Sequence, residues 1–300
     1  MTDKVIPEKC IGFKTDLVPA PFTTKDACTY ALGLGYSIEP LDEKDLTYTY
    51  ELSDGFQVLP TISSICSTFN PFEILVNSPG FPKFNAMMLV HGEHKTEVFK
   101  TLDPSKLYLN QAEIADVADK GKGCLVSFLI KTYERNEDGS KGDCALSNTL
   151  SLFVRGAGGF GFKGNLNDVI PPIPTTKPTK VLVQQTFPSQ ALIYRLSGDV
   201  NPLHVDINMA QAGGFDKPIL HGLCTYGIAA KLIVQNYCDN DATKLKFIKT
   251  RFPSFVYPGD KLIFNTWSDG KGTVNFEAIT EERKKQVIMG YALIEPTQKL

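Results

Sequence analysis

The sequence has little of what marks proteins that bind nucleic acids, span membranes or are secreted. Its 31 lysine and arginine residues are outnumbered by 33 aspartate and glutamate residues, for a net charge of −2. This balance does not predict the concentrated positive surface that binds a phosphate backbone. No apolar run approaches the roughly 18 residues of a membrane span, and the opening MTDKVIPEKC lacks the apolar core of a signal peptide. We expect a soluble protein without a nucleic acid partner, a membrane span or a secretory leader.

Cysteine and histidine are too scattered to indicate a metal centre. The seven cysteines form no CxxC pair, which favours reduced and mostly buried thiols. The four histidines form no HExxH pattern, and no carboxylate cluster accompanies them. The sequence therefore predicts no metal site.

A glycine-rich segment imitates a dinucleotide-binding motif. GAGGFG at 156–161 matches GxGxxG and follows a predicted strand, but that fingerprint needs a helix after the glycines. The chain instead continues as KGNLNDVIPPIP, which cannot form one. The prolines here, Pro171, Pro172, Pro174 and Pro178, indicate an extended connector.

The predicted elements repeat on either side of a connector over 166–184. In residues 1–165 they are helices over 23–34 and from about 60 to 71, and strands in LTYTYEL (46–52) and near 85–90, 96–100, 111–117, 124–134 and 144–154. In residues 185–300 they are helices over 189–197 and 222–237, and strands near 246–251, 260–267, 273–279 and 286–294. This order predicts an α+β fold of two halves, each an antiparallel sheet wrapped around a central helix.

The segment YRLSGDVNPLHVD at 194–206 concentrates the chemistry. It places Asp199, Asn201 and His204 within six residues, side chains that can hold and deprotonate a water. On a helix the first and last of these would point about 140° apart, and on a strand to opposite faces, so only an irregular turn lets them converge. Pro202 supplies it by fixing its own φ and holding Asn201 extended. Such residues also build ordinary helix-ending turns, with their side chains bound to local backbone.

The helix predicted from Gly222 favours the catalytic interpretation. Its first amides have no intrahelical partner and lie at the positive end of the helix dipole, so they suit an oxyanion. Glycine at this place also lets a substrate carbonyl approach the backbone closely.

YRLSGDVNPLHVD and the following GFDKPILHGLCTYG resemble the hydratase motif of the MaoC-like (R)-specific enoyl-CoA hydratases, and more narrowly the hydratase domain of the peroxisomal multifunctional enzymes type 2. The resemblance continues in YALGLGYSIEP, YELSDGFQVLPT, LVHGEH, ADKGKG and SLFVRGAGGFG, so it covers nearly the whole chain. It implies a double hot dog fold in which the first half shapes the acyl pocket and the second carries the catalytic motif. The implied reaction is hydration of trans-2-enoyl-CoA to (3R)-3-hydroxyacyl-CoA in peroxisomal fatty-acid β-oxidation. No cofactor beyond the CoA of the substrate is implied.

On this basis we expect Asp199 and His204 to bind the attacking water, Asn201 to orient it, and the Gly222 amide to bind the thioester oxygen. Glu51, in the matching YELS, is expected to contribute to activity. The expected substrate contacts are His91, Gly92, Lys120, Val200, Pro202, Leu203 and Phe252. Several of these have ordinary structural explanations as a turn histidine, an exposed loop lysine or a core aromatic.

The sequence leaves several alternatives open. Asp206 can orient His204 or simply pair with Arg195, and we favour a supporting structural role; His221 can cap the helix or turn outward. A close pair titrates as a unit, so which of Asp199 and His204 moves the first proton is undecided. The rival functions are a hot dog acyl-CoA thioesterase and a non-catalytic acyl-CoA-binding protein.

Location and assembly are also expectations from the resemblance. Gln298, Lys299 and Leu300 resemble the carboxy-terminal SKL signal that a peroxisomal import receptor reads, with its first position changed. A homodimer is expected from the family. The preferred acyl chain length depends on how the halves pack, which the sequence does not give.

Overall fold

The strands of the protein form one antiparallel sheet. The computed structural model describes residues 4–39, 42–66, 69–85, 88–166 and 169–295. Within them lie the strands β1 (Val18–Pro19), β2 (Leu89–Val98), β3 (Tyr108–Asp119), β4 (Gly123–Arg135), β5 (Lys141–Arg155), β6 (Lys180–Gln185), β7 (Leu245–Arg251), β8 (Lys261–Ser268), β9 (Thr273–Thr280) and β10 (Gln286–Ile294). Their order across the sheet is β1-β3-β4-β5-β2-β7-β10-β9-β8-β6, antiparallel throughout. Strands β1 to β5 thus fill one half of the sheet, and β6 to β10 fill the other.

The two halves of the sheet join where β2 pairs with β7. Glu93 lies opposite Arg251 in this ladder and accepts a 2.8 Å hydrogen bond from its Nε atom. The pairing of β2 with β5 shifts register between His91 and Glu93, so Gly92 sits at a bulge. This bulge places the end of β2 at the seam between the halves.

One long helix fills the concave side of the sheet. The described helices are α1 (Pro7–Cys10), α2 (Thr24–Gly33), α3 (Glu43–Thr49), α4 (Pro71–Asn77), α5 (Gln190–Tyr194), α6 (Ile207–Ala212) and α7 (Gly222–Tyr237). Eleven of the sixteen residues of α7 are buried, which explains why it is apolar nearly all round. The main core packs α7 between both halves of the sheet, while a smaller core packs β3, β4 and β5 with α1 and α4.

Close packing of α7 depends on a glycine that faces another helix. A Cβ atom added at Gly227 would lie 2.5 Å from Leu34 Cδ2 and 2.7 Å from the hydroxyl of Tyr30. Gly227 therefore allows α7 to approach α2 and the residue that follows it.

Two predictions in the first half were wrong. The predicted strand in LTYTYEL is helix α3, because Asp42 caps its start by accepting from Lys44 N at 3.0 Å. The predicted helix from about 60 to 71 is a five-residue 3-10 helix, Pro60–Ser64, and α4 begins rather than ends at Pro71. Proline at the first helical position suits a helix start. In the described residues, therefore, the first half has no counterpart of α7.

The remaining elements agree closely with the sequence-based bounds. The predicted helix over 222–237 and the strand over 286–294 are confirmed at both ends. Of the two short strands predicted near 85–90 and 96–100, residues 89–90 and 96–98 belong to the single strand β2, and residues 86 and 87 lie outside the described residues. The edge strand β6 was not predicted, and most of it lies in the predicted connector. No helix among the described residues has the length and apolarity to cross a membrane.

Candidate active site

The turn that carries Asp199 and His204 is irregular, as its proline predicts. Helix α5 tightens into a 3-10 turn at Arg195–Ser197. Gly198 then adopts a φ of 138°, a backbone angle that glycine adopts readily and other residues rarely do. A Cβ atom there would lie 3.0 Å from the carbonyl oxygen of Ile65, so this turn packs on the first half. Pro202 opens a second 3-10 turn, Pro202–His204. The chain between the two turns brings Asp199 and His204 to the start of α7.

His204 is held as a neutral imidazole with a fixed orientation. It is buried, and its Nδ1 atom lies 2.8 Å from the carbonyl oxygen of Ile219. A carbonyl can only accept, so Nδ1 carries the proton and Nε2 keeps a lone pair. Burial lowers the pKa of His204, against the opposing effect of that hydrogen bond. The Nε2 atom can therefore accept a proton from a water.

His221 belongs to the same site, although the sequence did not predict this position for it. Its ring stacks on that of His204 with centroids 3.8 Å apart and planes 29° apart. Its Nε2 atom lies 3.1 Å from the backbone oxygen of Asp199. Burial, and then the nearby His204, lower the pKa of His221 to about 4. Of the two alternatives for His221, turning outward was wrong, because the side chain is buried; the residue does occupy the N-cap position of α7, although its side chain makes no capping hydrogen bond.

Asp199 faces the two imidazoles from a half-buried position. One carboxylate oxygen and one nitrogen from each of His204 and His221 all lie within 4.8 Å of one another. Asp199 Oδ1 accepts from Asn201 N at 3.2 Å, and Asn201 Oδ1 accepts from Leu203 N at 3.1 Å. The turn thus uses one oxygen of each side chain, as in ordinary helix-ending turns. The second oxygen of Asp199 and the amide nitrogen of Asn201 retain capacity for a water.

The start of α7 supplies backbone donors beside this group. The first intrahelical bonds run from Cys224 N and Thr225 N to the oxygen of His221, so the amides of Gly222 and Leu223 precede them. A Cβ atom at Gly222 would lie 3.7 Å from Phe252 Cδ1. Gly222 therefore lies between the imidazoles and the ring of Phe252.

Three expected substrate contacts meet at this point. Phe252 N donates to the oxygen of Gly92 at 2.9 Å, and its ring centroid lies 5.1 Å from that of His91. Burial lowers the pKa of His91 to about 4, while the charge of Asp199 acts in the opposite direction. The structure thus brings residues of β2, the residue that follows β7 and the start of α7 together at the seam between the halves.

Buried polar atoms without a hydrogen-bond partner gather around Asp199. Among the described residues they include His91 Nε2, Tyr194 Oη, Ser197 Oγ and His221 Nδ1. The Tyr194 ring lies 4.9 Å from that of His221. Native proteins rarely leave such atoms unpaired, so they mark places where water or a ligand binds. Tyr194 and Ser197 lie within the motif itself, but nothing in the sequence singled them out.

Lys120 lies on a turn between two strands and not within this group. It is exposed on the turn between β3 and β4. The preceding Asp119 accepts hydrogen bonds from the amides of Gly121, Gly159 and Gly161. These backbone donors lower the pKa of Asp119 to about 2. The glycines of GAGGFG thus bind a carboxylate of the protein and fix the turn that carries Lys120.

A cavity of about 70 Å³ lies next to Lys120. Its charged lining consists of Lys95, Lys120, Lys163, Lys249, Glu93 and Asp116. The loop after GAGGFG closes one side, because Asn165 N and Leu166 N donate to Asp116 at 2.9 to 3.0 Å. Lys120 and Lys163 contribute positive charge to this cavity, whereas Lys95 and Lys249 pair with Glu97 and Glu93.

The other expected site residues lie at the margin or away from the group. Val200 and Pro202 are exposed and Leu203 is half-buried. Glu51 is exposed in the turn after α3, and burial followed by the charge of Glu51 raises the pKa of the nearby Cys28 thiol. Asp206 accepts from Asn208 N and Met209 N and caps α6, so its role is structural, although none of its described contacts is with Arg195.

Two family models match the chain. Residues 21–156 match the MFE-2 hydratase 2 N-terminal domain, and residues 168–290 match the MaoC like domain. The chain is 37% identical to a probable enoyl-CoA hydratase 2 of Dictyostelium discoideum, covering 97% of both chains. It is 36% identical to a peroxisomal enoyl-CoA hydratase 2 of Arabidopsis thaliana, covering 90% of this chain and 89% of that one.

Solved structures agree in fold. A MaoC-like dehydratase from Phytophthora capsici superposes with a TM-score of 0.87 at 30% identity, covering 98% of this chain and 99% of that one. A Mycobacterium tuberculosis protein with a double hot dog fold superposes with a TM-score of 0.53 at 12% identity, covering 94% and 96%. At that identity it supports the fold alone. The expected α+β double hot dog fold is confirmed.

Proposed function

Because the chain belongs to the MaoC-like hydratase 2 family, we propose that it is an (R)-specific enoyl-CoA hydratase acting on trans-2-enoyl-CoA. The observation that carries the proposal is the convergence of Asp199, His204 and the start of α7 at Gly222. A carboxylate, a neutral imidazole and free backbone donors are what hydration of a conjugated thioester requires.

In the proposed reaction, a water lies between Asp199 and His204 Nε2. The pair takes one proton from it as its oxygen bonds to C3 of the substrate. Electrons move from the double bond to the thioester oxygen, which the Gly222 amide and the helix dipole stabilise. The same proton then returns to C2, so one water supplies both hydroxyl and hydrogen and gives (3R)-3-hydroxyacyl-CoA. Asn201 contributes its amide nitrogen, and no cofactor beyond the CoA of the substrate takes part.

We further propose that CoA crosses the seam between the halves. The thioester end lies at His91, Gly92 and Phe252, with Val200, Pro202 and Leu203 beside it. The phosphate groups lie at Lys120 and the adjacent lysine-lined cavity, where ammonium groups meet phosphate as point charges. The first half then shapes the acyl pocket.

The relative from Arabidopsis thaliana is named peroxisomal, and we propose the peroxisomal matrix and β-oxidation for this chain. Gln298, Lys299 and Leu300, the proposed contact for an import receptor, lie outside the described residues. We also propose a homodimer. The edge strand β6 supports it, because Val181 and Val183 on it are 58% and 53% exposed.

The proposal is tested with trans-2-decenoyl-CoA, following the enoyl thioester absorbance, free thiol and the configuration of the product. Loss of absorbance without thiol release, with an (R) product, is expected. Asp199→Asn should slow it by about 100-fold or more, while the matched control Asp206→Asn retains a good helix cap and full activity. Thiol release would instead identify a thioesterase, and no reaction at any chain length a binding protein.

A further inference from the structure

We propose that Asp199, His204 and His221 form a binding site for a divalent transition metal, Zn²⁺ above all, whose occupation inhibits the enzyme. Two imidazoles and one carboxylate make a donor set that zinc takes in proteins, with a fourth position left open. The three donor atoms lie within 4.8 Å of one another. The residues are too unevenly spaced along the chain to match a metal motif, so only the fold reveals them as a group.

The hydrogen bonds of the two imidazoles are those of metal-binding histidines. His204 Nδ1 lies 2.8 Å from the oxygen of Ile219, and His221 Nε2 lies 3.1 Å from the oxygen of Asp199. Ligating histidines commonly donate their second ring N–H to a backbone carbonyl, which fixes the tautomer and the ring orientation. This arrangement leaves a lone pair on His204 Nε2 and on His221 Nδ1.

The unpaired nitrogen of His221 is an independent indication of a ligand. This side chain is only 1% exposed, and its Nδ1 atom has no hydrogen-bond partner. A buried acceptor of this kind has unused capacity to bind a cation.

Closure around an ion requires a small movement of Asp199. Bonds of 2.0 to 2.1 Å in a tetrahedral site put ligand atoms ~3.4 Å apart, which is closer than the 4.8 Å limit of the present group. Asp199 can provide the movement, because it is half-buried and follows Gly198 in an irregular turn. The two rings must also open from their stack, because imidazoles that share a tetrahedral ion have centroids about 5 Å apart, against 3.8 Å here.

An ion bound here would occupy the place of the attacking water. Its inhibitory effect rests on the proposed hydratase function, whereas its binding does not. Binding by the purified protein is therefore measured by isothermal titration calorimetry with Zn²⁺, and by the visible absorption of Co²⁺ in a tetrahedral site. One ion per chain is expected, together with a loss of hydration that a chelator reverses.

The variants separate this site from the free thiols. Asp199→Asn and His221→Phe should each weaken Zn²⁺ binding by about 100-fold. Asp199→Asn changes a half-buried loop residue, so we expect this variant to fold. Thermal melting checks its folding. The control replaces the partly buried cysteines, as Cys28→Ser/Cys66→Ser/Cys144→Ser, and should bind as the parent does. No stoichiometric binding, binding retained in both site variants, or binding lost in the cysteine control would overturn the site. Binding without any slowing of an active hydratase would overturn the inhibition.

Discussion

The imidazole rings of His204 and His221 stack with centroids 3.8 Å apart. One ring comes from the turn after α5 and the other from the residue that precedes α7, so the stack ties the water-binding turn to the oxyanion-binding amides. His221 also holds the backbone of Asp199 through its Nε2 atom. We infer that His221 is a positioning residue for both groups.

Replacing His221 tests this positioning role. His221→Ala should lower kcat by about 10- to 100-fold, because His204 and the Asp199 backbone lose a fixed neighbour, while KM changes little. His221→Phe keeps an aromatic ring that can stack on His204 but loses the hydrogen bond to the Asp199 backbone. Its kcat should therefore lie between those of the parent and the alanine variant. Steady-state kinetics would measure both values. Equal kcat in the alanine variant and the parent would contradict the role.

Lys120 is expected to contribute to binding and not to the chemical step. Lys120→Ala should raise KM for decenoyl-CoA several-fold and leave kcat nearly unchanged, because a phosphate contact acts equally on substrate and transition state. Lys122→Ala is the matched control, since this lysine lies on the same turn but does not line the cavity. A decenoyl-pantetheine thioester, which lacks the nucleotide phosphates, should not distinguish the variant from the parent. If it does, Lys120 acts elsewhere.

Asp119 is expected to hold the glycine loop rather than to bind substrate. Asp119→Ala removes the acceptor for the amides of Gly121, Gly159 and Gly161. Hydrogen exchange over 156–161 should then become faster by an order of magnitude or more, with exchange in α7 unchanged. Unaltered exchange in this loop would show that other contacts fix it.

Gly227→Ala should destabilise the protein, although alanine favours helix. Helix propensity alone would stabilise by about 1 kcal/mol. The added methyl group, however, would lie 2.5 Å from Leu34 Cδ2, and overpacking of this kind costs about 1–3 kcal/mol. Denaturant unfolding gives the sign, and a stabilised variant would mean that α2 moves away freely.

We expect the ionisation of Lys231 to make the stability of the protein depend on pH in the alkaline range. It is 5% exposed on α7, and burial lowers its pKa from an ordinary 10.5 to about 8, although Asp45 opposes the shift. Between these values the unfolded chain binds more protons, so this group makes the free energy of unfolding rise with pH, by up to about 3 kcal/mol in all. Below pH 8 Lys231 is charged in both the folded and the unfolded chain, so the free-energy cost of burying its charge does not change with pH.

Lys231→Met removes that contribution and isolates it. Burial raises the pKa of several thiols, Cys224 and Cys238 among them, which makes stability fall with rising pH. Because Cys224 interacts with Lys231, both proteins carry Cys224→Ala, and the difference between them, measured by unfolding at several pH values, cancels the remaining thiols. A difference that stays constant from pH 8 to 10.5 would contradict the assignment.

Much of the architecture followed from local patterns. The apolar face and glycine start of α7 fixed its bounds, and alternating strands separated by turn residues fixed β7 to β10 closely. The LTYTYEL segment shows the limit, because its β-branched and aromatic residues favour a strand whereas the Asp42 cap and burial of Tyr48 produce a helix. Propensity is a weak guide where tertiary contacts decide.

The sequence by itself determined the irregular turn, because Pro202 and Gly198 restrict or permit backbone angles wherever they stand, and with it the approach of Asp199 to His204. It also determined the family, through a motif of fixed spacing. Only the tertiary structure decided that His221 points inward, that Phe252 reaches Gly222 and that Glu51 stays at the surface. Those outcomes depend on the pairing of β2 with β7 and on helices packed from distant parts of the chain, and no local pattern encodes such contacts.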